Sequence, residues 1–152
     1  EEHLDGEKRR LQEILDRPRG PRAAAVRMEQ ASAMDRDMAV FRVQAGMERA
    51  AAKVAEIKSR LPQVSVDNKG KVFNTDLIDV LQLENMVDVA EAICAGALAR
   101  KESRGAHNRK DIAGRDDENW LRHTMVYRTE EEPRLETTPV TMTKWEPTER
   151  TY

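Results

Sequence analysis

The segment from Thr75 to Lys101, TDLIDVLQLENMVDVAEAICAGALARK, constrains the fold more than any other part of the chain. Leu77, Ile78, Leu81, Met86, Val87, Ala90, Ile93, Cys94, Ala97 and Leu98 cover one broad face of a predicted helix. Thr75 has the chemistry of an N-cap, and Asp76 stands in the first turn, where the helix dipole favours an anion. At a rise of about 1.5 Å per residue this helix is roughly 40 Å long. So long and apolar a helix must bury its face against other elements, because its packing rather than its propensity stabilises it. Ala90, Ala92, Ala95, Gly96, Ala97 and Ala99 are small enough to let neighbours approach closely.

The packing partners lie upstream. Leu4 to Arg17 reads as a short helix with Leu4, Leu11, Ile14 and Leu15 on one side, stopped by Pro18 and the Arg19-Gly20-Pro21 turn. Pro21, with its fixed φ, suits the first position of a second helix over Ala23–Arg42, whose stripe is Val26, Ala33, Met34, Met38, Val40 and Phe41. A third helix is expected from about Ala45 to Leu61, with Met47, Ala51, Val54, Ile57 and Leu61 at steps of three and four, and Pro62 ends it. The pause at Val43–Gly46 either separates these two helices or bends a single one. Val64–Asn74 is a polar connection holding the turn Asp67-Asn68-Lys69-Gly70. Beyond Thr124, Met125-Val126-Tyr127 and Leu135–Met142 are rich in β-branched residues, so they read as a hairpin or two extended arms. The tail from Lys144 to Tyr152 has too little apolar content to fold alone and is expected to lie along another surface. The expected fold is mainly α: an antiparallel three- to four-helix bundle followed by a small extended or β-hairpin tail. Residues 1–20 form a leading helix and linker, 21–101 the bundle, and 102–152 the charged loop, short helix and extended tail.

Several function classes are excluded by composition. The 26 basic and 28 acidic side chains leave a net charge of -2, without the basic excess of a general nucleic-acid binder. The single cysteine, Cys94, forbids an internal disulfide and a cysteine-rich metal site, and fits a small core residue in a reducing compartment. No apolar run reaches the roughly 20 residues needed to cross a bilayer, and there is no signal peptide. The chain starts Glu1-Glu2-His3 without an initiator Met, which reads as a processed product or a piece of something larger. There is no GxGxxG after a strand, no P-loop and no CxxC, and Ser32, Ser59, Ser65 and Ser103 lie in no nucleophile-elbow context. The seven methionines read as flexible core fillers.

The candidate functional residues sit between Lys101 and Thr124, in KESRGAHNRKDIAGRDDENWLRHT, where more than half the side chains are charged or histidine. Gly105 fits the left-handed residue of a helix C-cap, with Lys101, Arg104 and His107 at the negative end of the long helix. Arg104 and His107 could equally present donors to a carboxylate or to backbone carbonyls of a neighbour. In Arg115-Asp116-Asp117, one of the two acids is expected to cap a short helix holding Trp120, Leu121 and His123. Paired acids suit acid–base catalysis when their environments split their pKa values, but adjacent acids at a helix start usually serve the dipole. His107 and His123 with Asp116 or Asp117 match no standard metal-ligand spacing, and hydrogen-bonded histidines are the better reading. Trp120 is expected to pack between the end of the long helix at Ala97–Leu98 and the arm at Val140–Met142, with Trp145 more exposed.

ESRGAH, the arginine that follows at Arg109, then RDDENWLRHT and a closing Arg-Thr-Tyr resemble the end of the flavoprotein subunit of bacterial succinate dehydrogenase and fumarate reductase. FNTDLIDVLQLENMVDVAEAICAGALARKESRGAH and the helix ending MAVFR are similar to the helical region of the same family, so the resemblance runs from about Arg22 to Tyr152. It implies a subunit with covalently attached FAD that oxidises succinate to fumarate and passes electrons to an iron–sulfur subunit and quinone. Membrane-anchor subunits would hold such a complex on the cytoplasmic side of the bacterial inner membrane. The family's FAD-binding segment, flavin-linking histidine and substrate-binding residues belong to earlier parts of the subunit and match nothing here. The expectation is therefore that this chain carries no catalytic, cofactor-binding or metal-binding residue and is inactive alone. It would dock on the flavin-binding domain through Arg104, His107, Arg109, Arg115, Asp116, Asp117, Trp120 and His123, with the partner of Arg104 on that missing domain. In isolation such a face invites self-association. The alternatives are a stand-alone helical adaptor and a small metal-dependent enzyme using His107, His123 and Asp116.

Overall fold

The structure is a computed structural model, and it describes residues 2–112, 114–129 and 131–148. Its elements are α1 (Glu2–Asp16), α2 (Ala23–Asp37), β1 (Phe41–Arg42), α3 (Gln44–Arg60), a 3-10 turn (Leu61–Gln63), α4 (Thr75–Ala99), β2 (Asn108–Arg109), α5 (Asp117–Trp120), β3 (Arg122–Tyr127) and β4 (Arg134–Pro139). The chain is mainly helical with a small antiparallel hairpin at its C-terminal end, as the sequence implies.

Helices α2, α3 and α4 pack on one another around a single apolar core. Ion pairs give their directions. Arg49 meets Asp37 at 2.6 Å and Arg60 meets Glu29 at 2.5 Å, so α3 runs back along α2. Arg27 meets Asp79 at 3.1 Å, and Cys94 Sγ lies 3.9 Å from Met34 Sδ, so α4 returns parallel to α2. The buried residues of α4 are Val80, Leu83, Val87, Ala90, Cys94 and Ala97, and those of α3 include Met47, Ala50, Val54 and Ile57. Alternating steps of three and four make these heptad-like seams, the spacing that keeps one narrow face against neighbouring helices. The predicted α4 face needs correction: Ile78, Met86 and Ile93 are exposed, while Val80 and Leu83 are buried. A helix apolar on several sides does not reveal which stripe its neighbours select.

α1 joins the core through Ile14 and Leu15, and Arg17 donates to the carbonyls of Leu61 and Val64, both at 3.0 Å. Gly20 lies against the 3-10 turn so closely that a Cβ there would fall 2.2 Å from the Gln63 carbonyl oxygen. Pro21 stands outside helix α2, whose N-cap is Arg22; the Pro21 carbonyl accepts from Ser65 N–H at 3.1 Å instead. The N-cap of α4 is Asn74, one residue before the expected Thr75. Its Oδ1 accepts from Leu77 N–H at 2.9 Å, while its Nδ2 donates to the carbonyls of Asn68 and Gly70, both at 2.7 Å. One buried amide thus starts the helix and closes the preceding loop.

Helix α2 stops at Asp37 rather than Arg42. The pause in the sequence is a true break: Phe41 and Arg42 are extended and pair in parallel with Asn108 and Arg109, and Val43 is the N-cap of α3. This short ladder brings the charged segment back to the start of α3, which positions the site. Strands β3 and β4 pair from Arg122–Pro139 to Tyr127–Arg134. The last four residues, including the Arg150-Thr151-Tyr152 ending, lie outside the described residues.

Candidate functional site

Helix α4 ends at Ala99 and its C-cap, Arg100, is extended; the chain then bends at Glu102, where the side chains of Arg100, Glu102 and Arg104 meet. Glu102 is fully buried and is the centre of the site. Its Oε1 accepts from Arg100 Nη1 and, at 2.7 Å, from Arg104 Nε. Its Oε2 accepts from Arg104 Nη2 at 3.0 Å and from Asp116 N–H at 2.9 Å. Burial pushes the Glu102 carboxyl up, but the Arg104 guanidinium, the Asp116 amide and Arg100 outweigh it and hold the group below the usual carboxylate range.

Arg104 bridges this carboxylate to Asp117, at 2.5 Å, and the Asp117 side chain also meets Arg115 at 2.8 Å. The partners of Arg104 therefore lie within this chain, which corrects the expectation that they sit elsewhere. Arg100 spans further: it donates to the carbonyls of Trp120 at 2.9 Å and Arg122 at 2.6 Å, and to Thr124 Oγ1 at 3.1 Å. Its guanidinium also lies 5.3 Å from the centroid of the Trp120 ring. Trp120 is half-buried under a cation just beyond α4, where deep burial between Ala97–Leu98 and the Val140–Met142 arm was expected. Trp145 is 78% exposed.

A second cluster anchors the segment to α3. Arg109 is buried and forks onto Asp111, with Nε–Oδ1 at 2.7 Å and Nη2–Oδ2 at 2.8 Å, and Nη2 also donates to Gln44 Oε1 at 3.0 Å. Asp111 Oδ2 in turn accepts from Gln44 N–H at 2.7 Å, satisfying an orphan donor at the start of α3. The Arg109 guanidinium holds the Asp111 carboxyl far below the usual carboxylate range. Ser103 Oγ accepts from Arg109 N–H at 2.8 Å and closes the loop between them.

Gly105 adopts φ +56°, the left-handed conformation expected of it, but for a different purpose. It is not a helix C-cap. Arg104 and His107 exchange backbone hydrogen bonds at 2.9 and 3.0 Å, so Gly105-Ala106 is a two-residue turn. That turn directs the His107 ring inward. Arg42 Nη1 is only a donor, so His107 Nδ1 accepts from it at 2.9 Å, and Nε2–H donates to the Arg100 carbonyl at 3.3 Å. Burial, with Arg42, Arg109 and Arg100 nearby, pulls the His107 pKa below its ordinary value.

Asp116 is the N-cap of α5, with Oδ1 accepting from Asn119 N–H at 3.0 Å. α5 is a single turn, and His123 lies on β3 opposite Thr138, exposed, instead of sharing the helix with Trp120. Both His107 ring nitrogens are engaged, and among the described residues no group of three or more His, Cys, Asp or Glu is placed to hold a metal ion. Nor do the described residues fit FAD. The two-residue parallel pair and the antiparallel hairpin form no strand–turn–helix phosphate cradle, so no step of flavin chemistry is assigned to this chain.

The sequence reading missed Glu102, Arg100, Asp111 and Arg42. Its available signal was Arg100-x-Glu102-x-Arg104 and Arg109-x-Asp111, opposite charges two residues apart and so within reach of one another.

A family profile described as "Fumarate reductase flavoprotein C-term" matches residues 27–152. The fumarate reductase flavoprotein subunit of Haemophilus influenzae is 41% identical over 84% of the chain, and the chain spans 21% of that relative. The succinate dehydrogenase flavoprotein subunit of Rickettsia conorii is 37% identical over 67% of the chain, spanning 17% of that protein. Among solved structures, a variant of the E. coli quinol fumarate reductase FrdA superposes with a TM-score of 0.91 at 34% identity, covering 97% of this chain and 26% of that one.

Proposed function

The chain belongs to the fumarate reductase and succinate dehydrogenase flavoprotein family, as its C-terminal helical domain, and on that premise we propose that it serves an oxidoreductase that interconverts succinate and fumarate. FAD and the substrate-binding residues belong, in this reading, to the preceding part of the subunit. Electrons pass from there to an iron–sulfur subunit and quinone. Membrane-anchor subunits hold the complex on the cytoplasmic face of the inner membrane, and this chain is peripheral; none of its described helices is long and apolar enough to cross a membrane.

The role of the domain is structural: it docks on the flavin-binding domain and fixes its edge. The observation that carries this reading is the agreement of fold with the E. coli FrdA chain over 97% of the residues. The division into residues 1–20, 21–101 and 102–152 follows function in the same way: a leading helix, a rigid bundle, and a charged segment with its hairpin that meets the neighbour. Because Arg104, Arg109, Asp116 and Asp117 are bonded within the chain, they shape that segment from behind. Trp120, His107, Arg115 and His123 contribute what exposed surface they retain.

The test is complementation. The chain is co-expressed with the preceding flavin-binding portion of the subunit, and succinate-dependent reduction of an artificial electron acceptor is measured. The chain alone should show neither turnover nor a flavin spectrum, and the two together should show both. Turnover or bound flavin from this chain alone would overturn the reading.

A further inference from the structure

Arg42 stands apart from the other arginines of the site. Arg100, Arg104 and Arg109 each meet a carboxylate, whereas Arg42 meets none among the described residues. Its Nε donates to the Ala39 carbonyl at 2.7 Å and its Nη1 to His107 Nδ1 at 2.9 Å, which fixes the plane of the guanidinium. No described residue accepts from Nη2. Burial depresses its pKa, the Cys94 thiol offsets this only in part, and no carboxylate adds to that offset. Arg42 lines a pocket of about 260 Å³ between α4 and β3, with Ile93, Ala97 and Val126 as apolar wall and Arg100, His107 and Thr124 beside it.

We propose that this pocket binds one carboxylate group carried on a short aliphatic stem, with Arg42 as its principal ligand. The remaining N–H groups of Nη1 and Nη2 form the two-pronged edge that matches a carboxylate. Thr124 Oγ1 already accepts from Arg100, which leaves its own O–H free to donate to a carboxylate oxygen. His107 presents no further donor, because its one N–H goes to the Arg100 carbonyl. Ile93, Ala97 and Val126 suit methylene groups and exclude a strongly hydrated inorganic anion. The carboxylate can come from a free short-chain acid or from an Asp or Glu side chain in the preceding part of the subunit. The second source rests on the function proposed above; the first does not.

The ¹⁵N-labelled 152-residue chain is titrated with sodium acetate and with sodium butyrate at constant ionic strength, using sodium chloride as the reference salt. Resonances of the Arg42 Nε–H and the Thr124 amide are followed. The proposal predicts a saturable shift confined to this pocket, absent with chloride, and tighter for butyrate by up to about fourfold for each methylene buried. Arg42→Gln should abolish saturation, and Thr124→Val, which keeps the charge, should weaken binding several-fold, while Arg122→Gln, an exposed arginine outside the pocket lining, should leave it unchanged. No saturable response, or an equal one in Arg42→Gln with its core resonances intact, overturns the proposal. Repeating the titration on a chain extended by the flavin-binding portion separates the sources. A lost response means that the subunit supplies the carboxylate, and a retained one means a free acid. Failure of that extended chain to turn over succinate would count against the proposed function but not against binding in the shorter chain.

Discussion

The helical seam and the charged segment are two solutions to holding a chain together, and they differ in how much geometry each requires. Along Val80, Leu83, Val87, Ala90, Cys94 and Ala97 the stabilisation is apolar burial, which is non-directional and tolerates small shifts. Around Glu102 it is a set of charge-assisted hydrogen bonds to a fully buried carboxylate, each needing its donor in place. Removing part of the first leaves a cavity. Taking away the centre of the second strands Arg100 and Arg104 beside each other without their shared anion. The contrast teaches that a dense run of charges need not be surface throughout, because here Glu102 and Arg109 within it are the buried centres of two small polar clusters.

The largest test of this contrast is Glu102→Ala, which should cost about 3–5 kcal/mol, the range for breaking a buried ion pair. Leu83→Ala, in the seam, should cost about 2–5 kcal/mol. Urea unfolding at two pH values separates them. The folded Glu102 carboxyl lies below its unfolded value near ~4.3, so its contribution is present above that pH and disappears as pH falls through the folded value. The Leu83 cost should show no such window.

Arg104→Ala comes next, at about 1.5–3 kcal/mol, the range for charged hydrogen bonds. The same change at Arg122, whose side chain is exposed, should stay within about 0.5 kcal/mol. Thermal melting of the 152-residue chain reads the difference. An unchanged melting temperature for Arg104→Ala would return its partners to another domain.

Trp120→Ala is expected to cost about 2 kcal/mol, combining partial burial of the ring with the Arg100 contact. Trp145→Ala should be nearly neutral. Iodide quenching on single-Trp variants checks the same point, with Trp145 quenched far more readily. The smallest effect concerns His107. Its folded pKa is depressed, so its neutral form adds stability above the unfolded value near ~6.5, and that stability is lost as pH falls through the folded value. His107→Gln should flatten the stability profile in that mildly acidic window and leave the Glu102 window at lower pH intact.

The same contrast decides what was legible in the sequence. Helices α1, α3 and α4 declare themselves through spacing, prolines and caps within one or two residues of their ends. The hairpin, or two extended arms in its place, is legible from the richness in β-branched residues, and the family from the order of ESRGAH and RDDENWLRHT. The stripe of α4 was misplaced because Ile78, Met86 and Ile93 are as apolar as the residues actually buried. β1 is two residues long, and Phe41 pairs with Asn108, far along the chain, so no local pattern announces it. Glu102 reads as one more solvated acid after a helix. Its burial depends on Arg100, Arg104 and the Asp116 amide arriving together, which only the fold arranges. An N-cap at one of Asp116 and Asp117 was legible because that bond is local, and Asp116 is the one that makes it.

The central claim is that the charged segment is fastened to its own chain through Glu102, and the exchange of the Asp116 amide hydrogen tests it most directly. That N–H donates to Glu102 Oε2 at 2.9 Å, with no helix or strand ladder to protect it otherwise. In the isolated 152-residue chain near neutral pH, the amide should exchange far more slowly than in an unstructured peptide and lose that protection in Glu102→Ala. Exchange at the unstructured rate in the unaltered chain would contradict the account, placing the contacts that order this segment on another domain.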